Sequence, residues 1–395
     1  MSGRVGDLSP KQAEKLKLFR ERISDILTAE HDDHNLLRWL RARSFDLDKA
    51  EKMLRNHISF CKEWNIEYIV AEWKAPEVLE KHMIGGLFGE DKEGRPIYYE
   101  AYGSVDCKGI IYSSTKDDFV RYKLRICEAI YQRFEEQTKK HGRRIDNLTM
   151  ILDLDQVGLS HLWMPFLNVY FDVLSKFEAN YPETLYQCFV INAPSMVSVG
   201  YNLFKPFLSS DTRTKVKFFG GNYRSKLLEV ISPDQLPKHY GGTMVDNGDP
   251  KCSDKIKYGG KVPKSYYLKE LQLASSIHLK KETVASGAKL QIPLEVTVPS
   301  SALRWEFHTD KDDIAFGVYR KETTSDGSTR LVEILPSTRF TSHLVPESGL
   351  VECAQVGTYV AVFDNSFSWV KSKKVFYAVD IIPPDSTDAA SSSKE

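Results

Sequence analysis

The sequence runs to 395 residues, enough for two or three domains, and is 42% hydrophobic and 27% charged, the balance of an ordinary globular chain. Lysine plus arginine and aspartate plus glutamate each number 54, and zero net charge excludes a dedicated nucleic-acid binder, which needs a basic excess to displace counterions. Membrane contact is not excluded, because a local patch can be basic on a neutral whole.

From Met1 to Asp7 there is no apolar core of signal-peptide length. No run of about 18 apolar residues follows anywhere, so no bilayer-spanning helix is expected and any membrane work is peripheral. Ser9-Pro10 followed by Gln12 is a capping-box start, and Leu16, Phe19, Ile23 and Ile26 then recur at helical spacing. A second helix carries Leu36, Leu37 and Leu40. A third opens at Asp46, with Leu47, Ala50, Leu54, Ile58 and Cys61 on one stripe. Arg38, Arg41 and Arg43 read as a solvated or ion-paired face.

These helices occupy residues 1–75. From 76 to 244 strands and helices alternate, which implies an α/β layer with a largely parallel sheet. Ile97 to Tyr102, Leu148 to Leu154 and Gln187 to Asn192 read as strands. Asp117 to Glu135 is a helix, and His161 to Phe177 is another, apolar on nearly every side and stopped near Asn180 and Pro182. Residues 245–275 are rich in Gly, Lys, Asp and Pro and read as a linker or extended wrap. Short β-branched and aromatic segments then recur over 276–382, the pattern of an antiparallel β-sandwich. The tail 383–395 is polar and expected to be disordered.

Catalysis has no evident seat. No phosphate-binding loop, nucleophile elbow or zinc helix occurs. Asp153 and Asp155, just past a buried strand, could hold a metal or act as a nucleophile, but no second acidic motif accompanies them and loop capping is the simpler reading. The six cysteines (Cys61, Cys107, Cys127, Cys188, Cys252, Cys353) are scattered without a C-x-x-C pair. They read as free thiols of a cytoplasmic protein rather than metal ligands.

The informative segment follows the strand ending near Asn192. After Pro194, Met196, Val199, Leu203 and Phe207 share one face of a short helix, and Val197, Tyr201, Phe204 and Leu208 share another. A helix apolar on two faces is either packed on both sides or meets an apolar ligand. The second possibility makes it a lid over a cavity, since a buried acyl chain gains about 0.8 kcal/mol per methylene only where water is shut out.

Several motifs in one order carry a resemblance. Leu36-Leu-Arg-Trp-Leu-Arg-Ala-Arg43 with Phe45-Asp46, Asn180-Tyr-Pro-Glu183, Ile191-Asn-Ala-Pro194, Lys205-Pro-Phe-Leu208 and Leu236-Pro with Tyr240-Gly-Gly242 resemble the CRAL-TRIO lipid-transfer family. The β-rich region resembles a GOLD domain, a combination similar to the supernatant protein factor, or tocopherol-associated protein, group. The resemblance implies a multidomain chain: an N-terminal α-helical bundle, an α/β lipid-cavity domain and a GOLD-like sandwich. It implies a carrier that moves one hydrophobic ligand between membranes without catalysis; the alternative is a lipid-sensing adaptor that binds a protein partner through the sandwich. Bound lipid is cargo, and no cofactor, metal or nucleic acid is called for. The lid becomes a lipid gate of Met196, Val199, Leu203, Phe204 and Phe207. The strands then line the cavity with Tyr99, Met150, Leu152, Phe189 and Ile191. Glu183, Thr212 and Lys215 fall where the family binds a phosphoinositide headgroup, though helix capping and surface solvation explain them equally. Ser44 stands where phosphoinositide binders carry lysine, which points from phosphatidylinositol toward neutral isoprenoids such as tocopherol or squalene. Lys371, Lys373 and Lys374 follow Trp369, and either protect an edge strand or touch anionic membrane. Lys139, Lys140, Arg143 and Arg144 form a second basic loop with the same two readings.

Overall fold

A computed structural model describes residues 2–194, 197–268, 279–323, 328–340, 342–343 and 346–384. The tail from 385, expected to be disordered, lies outside the described residues.

The helical start forms as its caps dictate. In α1 (Pro10–Arg22) the Ser9 and Gln12 side chains close a capping box, and Asp32 and Asp46 cap α2 (Asp33–Ala42) and α3 (Leu47–Trp64). Phe19, Ile23, Leu36, Leu37, Leu40, Ala50 and Leu54 meet in one core. Two short helices, α4 (Ile66–Ala71) and α5 (Glu77–His82), lead into the sheet.

Arg38 is corrected: it is 5% exposed rather than solvated. It donates to the Tyr131 hydroxyl and, at 2.5 Å, to the Asp146 carbonyl, so it bolts the bundle to the next domain. Arg41 is ion-paired with Glu183 at 3.3 Å.

The second layer comprises β1 (Ile84–Glu90), β2 (Pro96–Ala101), α6 (Cys107–Ser113), α7 (Lys116–His141), β3 (Leu148–Asp153), α8 (Met164–Asn180), β4 (Leu185–Ile191), α9 (Val197–Phe204), α10 (Ser210–Lys215), β5 (Val216–Phe218), α11 (Tyr223–Val230) and β6 (Lys257–Tyr258). The sheet order is β5-β4-β3-β2-β1-β6, with β2 to β5 parallel and β1 antiparallel to both neighbours. Residues beyond 244 wrap back: Cys252, Ile256 and Val262 are buried, and β6 pairs with β1. Gly242 permits this wrap, because a Cβ there would stand 1.9 Å from the Leu236 carbonyl oxygen.

The third layer is a sandwich of two four-stranded antiparallel sheets. One has the order β11 (Thr329–Phe340), β10 (Ile314–Thr323), β13 (Gly357–Asp364), β8 (Lys289–Val296); the other β12 (Glu347–Cys353), β9 (Ser301–Thr309), β14 (Lys373–Ile382), β7 (Lys280–Val284). Leu303, Trp305 and Phe307 interleave with Phe316, Val318, Ala361 and Phe363 between them. Among the described residues no helix is long and apolar enough to cross a membrane.

His57 on α3 marks the joint between the bundle and the sheet domain. Its ring lies 5.0 Å from Trp39 and 6.0 Å from Tyr181. Burial lowers its pKa to about 4, against a hydrogen bond with Asn180 that favours the cation. The unfolded chain takes up this proton near pH 6.5 and the folded chain only near 4, so the contribution is present above 6.5 and is lost as pH falls through that window. Denaturation from pH 7 to 4 is expected to cost the wild type about 2 kcal/mol more than His57→Gln; parallel curves would show the imidazole to be solvated.

Candidate functional site

Side-chain parity along the parallel strands fixes the two faces of the sheet. Tyr99, Ile151 and Phe189 stand in one row, with Ile191 on the same face. They pack against α11 and the returning chain, where Tyr99 stacks on Tyr240 at 5.7 Å. Tyr98, Met150 and Cys188 form a row on the opposite face, and Glu100, Leu152, Val190 and Phe218 the next. This second face looks toward α7, α8 and α9. The five residues expected to line one cavity therefore divide: Met150 and Leu152 lie on the α8 side, Tyr99, Phe189 and Ile191 on the other.

Met150 and Leu152 are only half-buried, although they sit mid-strand in the centre of a six-stranded sheet. Apolar positions there are ordinarily closed off. The cluster that takes in Leu152 also takes in Phe204, from the segment read from sequence as a lid, while Met150 packs with Ile130 and Phe134 of α7. Phe204 meets Phe171 at 5.2 Å, Tyr170 at 6.1 Å and Tyr102 at 6.4 Å. Phe207, in the 3₁₀ turn after α9, stacks flat on Phe171 at 4.2 Å. Tyr201 reaches Phe218 at the β5 edge, 5.0 Å ring to ring. The α9 segment thus spans from α8 to the last parallel strand across the face that holds Leu152. Val199 falls within α9, and Met196 lies outside the described residues.

Leu203 points elsewhere. With Leu162 it packs on Ala302, Leu350 and Ile382, which lie on the outer face of the β12-β9-β14-β7 sheet. The Asn202 amide donates to the Pro383 carbonyl at 3.0 Å, and an open cleft of about 480 Å³ runs beside this contact between Leu203 and the Arg304–Asp380 ion pair. Farther along the same joint Lys108 donates to the Pro346 carbonyl at 2.8 Å. The two faces read from sequence are corrected: Phe207, expected to share a face with Leu203, sits in the 3₁₀ turn after α9 and joins Phe204 against α8, while Leu203 meets the sandwich.

An ion pair is buried on the α8 side. Glu100 is ion-paired with Lys123 of α7 and accepts from the Tyr170 hydroxyl at 3.0 Å, with both charged side chains under 5% exposed.

The three expected headgroup residues are each held by an internal partner. Glu183 takes Arg41, the Thr212 hydroxyl donates to Glu178 at 2.6 Å, and Lys215 pairs with Asp211 at 2.5 Å. Asp153 accepts from the Asp155 backbone at 2.9 Å and from the Asn192 amide at 2.8 Å, the contacts of a capping residue. The basic loop is corrected in part, because Lys139 and Lys140 belong to the last turn of α7 and only Arg143 and Arg144 follow it; Lys140 pairs with Glu90, Arg143 with Glu93 and Arg144 with Asp32. Burial alone would raise the Glu90 carboxyl; hydrogen bonds from Lys140, Gln137 and His141 carry it down to about 2.

Sequence reasoning missed Tyr102, Tyr170, Phe171 and Phe218, the rings that meet the α9 segment. The signal was present in α8, whose apolarity on nearly every side fits a helix that meets core on one flank and α9 on another.

The family model described as "CRAL/TRIO domain" matches residues 80–242, and "CRAL/TRIO, N-terminal domain" matches 9–56. The chain is 32% identical over 353 residues to "Protein ctg-1" of Caenorhabditis elegans, covering 89% of this chain and 91% of that protein. It is 32% identical over 338 residues to "Protein real-time" of Aedes aegypti, covering 80% of this chain and 50% of that protein. Among solved structures, the crystal structure of Sfh5 aligns at 18% identity with a TM-score of 0.46, over 66% of this chain and 85% of that one.

Proposed function

The chain belongs to the CRAL/TRIO family of lipid-binding and transfer proteins, and from that premise we propose that it carries one hydrophobic molecule, isoprenoid or phospholipid-like, beneath α9. The observation that carries this reading is the half-buried pair Met150 and Leu152 at the centre of the sheet, on the face spanned by the apolar α9 segment. Apolar surface left partly accessible inside a domain is what a lipid tail replaces, at about 0.8 kcal/mol per methylene buried.

In the proposed cycle α9 moves outward at a membrane, releasing Phe204 and Phe207 from Phe171, and returns once cargo is exchanged. The chain's own groups bind and exclude water; no bond is made or broken. Glu183, Thr212 and Lys215 would serve a headgroup only by giving up Arg41, Glu178 and Asp211. That cost, with Ser44 in place of a lysine, favours a neutral cargo such as tocopherol or squalene over phosphatidylinositol. The GOLD-like sandwich acts as the outer support of α9 through Leu203 and Asn202. Work at a membrane surface from the cytoplasm, in peripheral contact only, completes the reading.

The test is mass spectrometry of an organic extract of the natively purified protein beside Phe204→Asp/Phe207→Asp. One lipid species near one-to-one, absent from the variant, is expected. A wild type that is empty, and stays empty after incubation with mixed liposomes, sinks the carrier reading.

A further inference from the structure

The loop between β13 and β14 exposes Trp369 at 95% and Val370 at 87%. Tryptophan carries the largest apolar surface of any residue, and leaving it in water beside a bare valine is costly unless something else receives it.

The exposure is not that of a slack loop. Asn365 at its base is fully buried, and its amide donates to the carbonyls of Val284, Ala285 and Lys371 at 3.1, 3.0 and 2.9 Å. Its backbone N–H reaches the Ala288 carbonyl at 2.9 Å, and Ser368 N–H returns to its carbonyl at 3.1 Å. The Phe367 ring is gripped by the Arg339 guanidinium at 4.1 Å and the Lys373 ammonium at 4.2 Å. The two tip residues stand on a braced turn, already in the conformation that presents them outward.

The charges around the tip decide what it fits. Lys373 is 3% exposed and pairs with Asp313 at 3.0 Å. Lys371 pairs with Asp312 at 3.3 Å, and Arg339 also binds Asp313. Lys374 beside them is exposed, so four cations, Lys371, Lys373, Lys374 and Arg339, stand around the tip against Asp312 and Asp313. β14 is an inner strand of its sheet, so these lysines guard no edge, and the tip is an apolar point within a net basic ring. A convex point of two side chains cannot supply the ~800 Å² per partner of a stable protein interface. It is the right size and chemistry for the headgroup level of a bilayer, where an indole ring sits with its apolar edge inward and its N–H wet.

We propose that Trp369 and Val370 are a membrane-insertion point, and that the surface they recognise is the interface of a bilayer that carries anionic lipid. The point lies at the start of β14, whereas Ile382, which touches the α9 contact, lies at its end. Nine residue steps separate Lys373 from Ile382, about 30 Å of strand. For the insertion point and α9 to meet one membrane, β14 must lie along its surface. Trp369 then governs residence, and α9 governs exchange. The inference goes beyond the carrier reading: one is tested by vesicle partition, the other by cargo occupancy, and either can fail alone.

The experiment is partition of the full chain onto phosphatidylcholine vesicles with and without phosphatidylserine, for wild type, Trp369→Ala/Val370→Ala and Trp369→Phe. The double variant is expected to lose roughly thirtyfold in partition, from the apolar area withdrawn, with its melting temperature unchanged. Trp369→Phe should keep most of the binding. Raising salt from about 0.1 to 0.5 M should weaken wild-type partition onto the phosphatidylserine vesicles more than threefold, because the attraction of the basic ring is screened, and should leave the effect of the double variant in place. Brominated phosphatidylcholine should quench tryptophan emission in the wild type more than in Trp369→Phe. The proposal is overturned if wild type ignores vesicles that contain phosphatidylserine, or binds pure phosphatidylcholine equally well and without regard to salt. It is equally overturned if the double variant partitions like wild type, or if its one effect is loss of self-association in solution.

Discussion

Lys123→Met is expected to lower the free energy of unfolding by about 3–5 kcal/mol, the cost of leaving a buried charge without its partner. Glu100 sits on β2 and Lys123 on α7, with side chains 3% and 4% exposed. Methionine keeps the length and most of the packing of lysine, so the loss reads the electrostatics rather than a cavity. What remains for the carboxylate is the Tyr170 hydroxyl at 3.0 Å, one hydrogen bond where there was also a cation. The double change Glu100→Gln/Lys123→Met should recover most of the loss, since the pair as a whole contributes little beyond its own desolvation. Urea unfolding of the three chains measures it. A loss under about 1 kcal/mol in the single variant would mean that water reaches Glu100. The pair also bears on cargo. It lies buried on the face that holds Met150 and Leu152, and each charge is satisfied by the other.

How much of this was legible depends on the range of each interaction. The N-terminal helices could be read because their caps are local: Ser9 finds Gln12 three residues on. The burial of Arg38 could not, because its partners lie 93 and 108 residues away. β1 escaped notice because Gly85, Gly86 and Gly89 break its apolar pattern. Gly85 and Gly86 are there because a Cβ would strike the Tyr98 ring and the Lys255 carbonyl. β7 reads Lys-Lys-Glu-Thr-Val and is exposed along most of its length, so it has no core signal to show. The apolar α9 segment was legible in its composition, but the rings it meets were not, since that needs α8 placed beside α9. The cavity list mixed two faces for a related reason. Alternation along one strand is visible in sequence, but the phase between strands is set by pairing: Tyr98 falls opposite Met150, and Met150 opposite Cys188.

The contact between α9 and the sandwich carries the second large effect. Outward-facing positions of a sandwich sheet are ordinarily wet, yet Ala302, Leu350 and Ile382 are 0%, 5% and 5% exposed, because Leu162 and Leu203 cover them. On the proposed cycle α9 must leave both Phe171 and this surface, so the sandwich sets part of the barrier to opening. Ala302→Glu attacks the joint alone. The new side chain has no room at a fully buried position, and its cross-strand neighbours are Glu352 and Ile382, which offer it no cation. The interleaved core of the sandwich, on the other face of β9, is untouched. Exchange of a fluorescent lipid from the loaded protein is expected to quicken about tenfold or more, which ~1–3 kcal/mol lost from the joint delivers. Ala302→Ser, small and uncharged, should exchange at nearly the wild-type rate. If Ala302→Glu loosens the sandwich, seen as a larger radius of gyration, and exchange stays at the wild-type rate, the sandwich does not hold α9. The barrier then belongs to Phe204 and Phe207 against α8 alone.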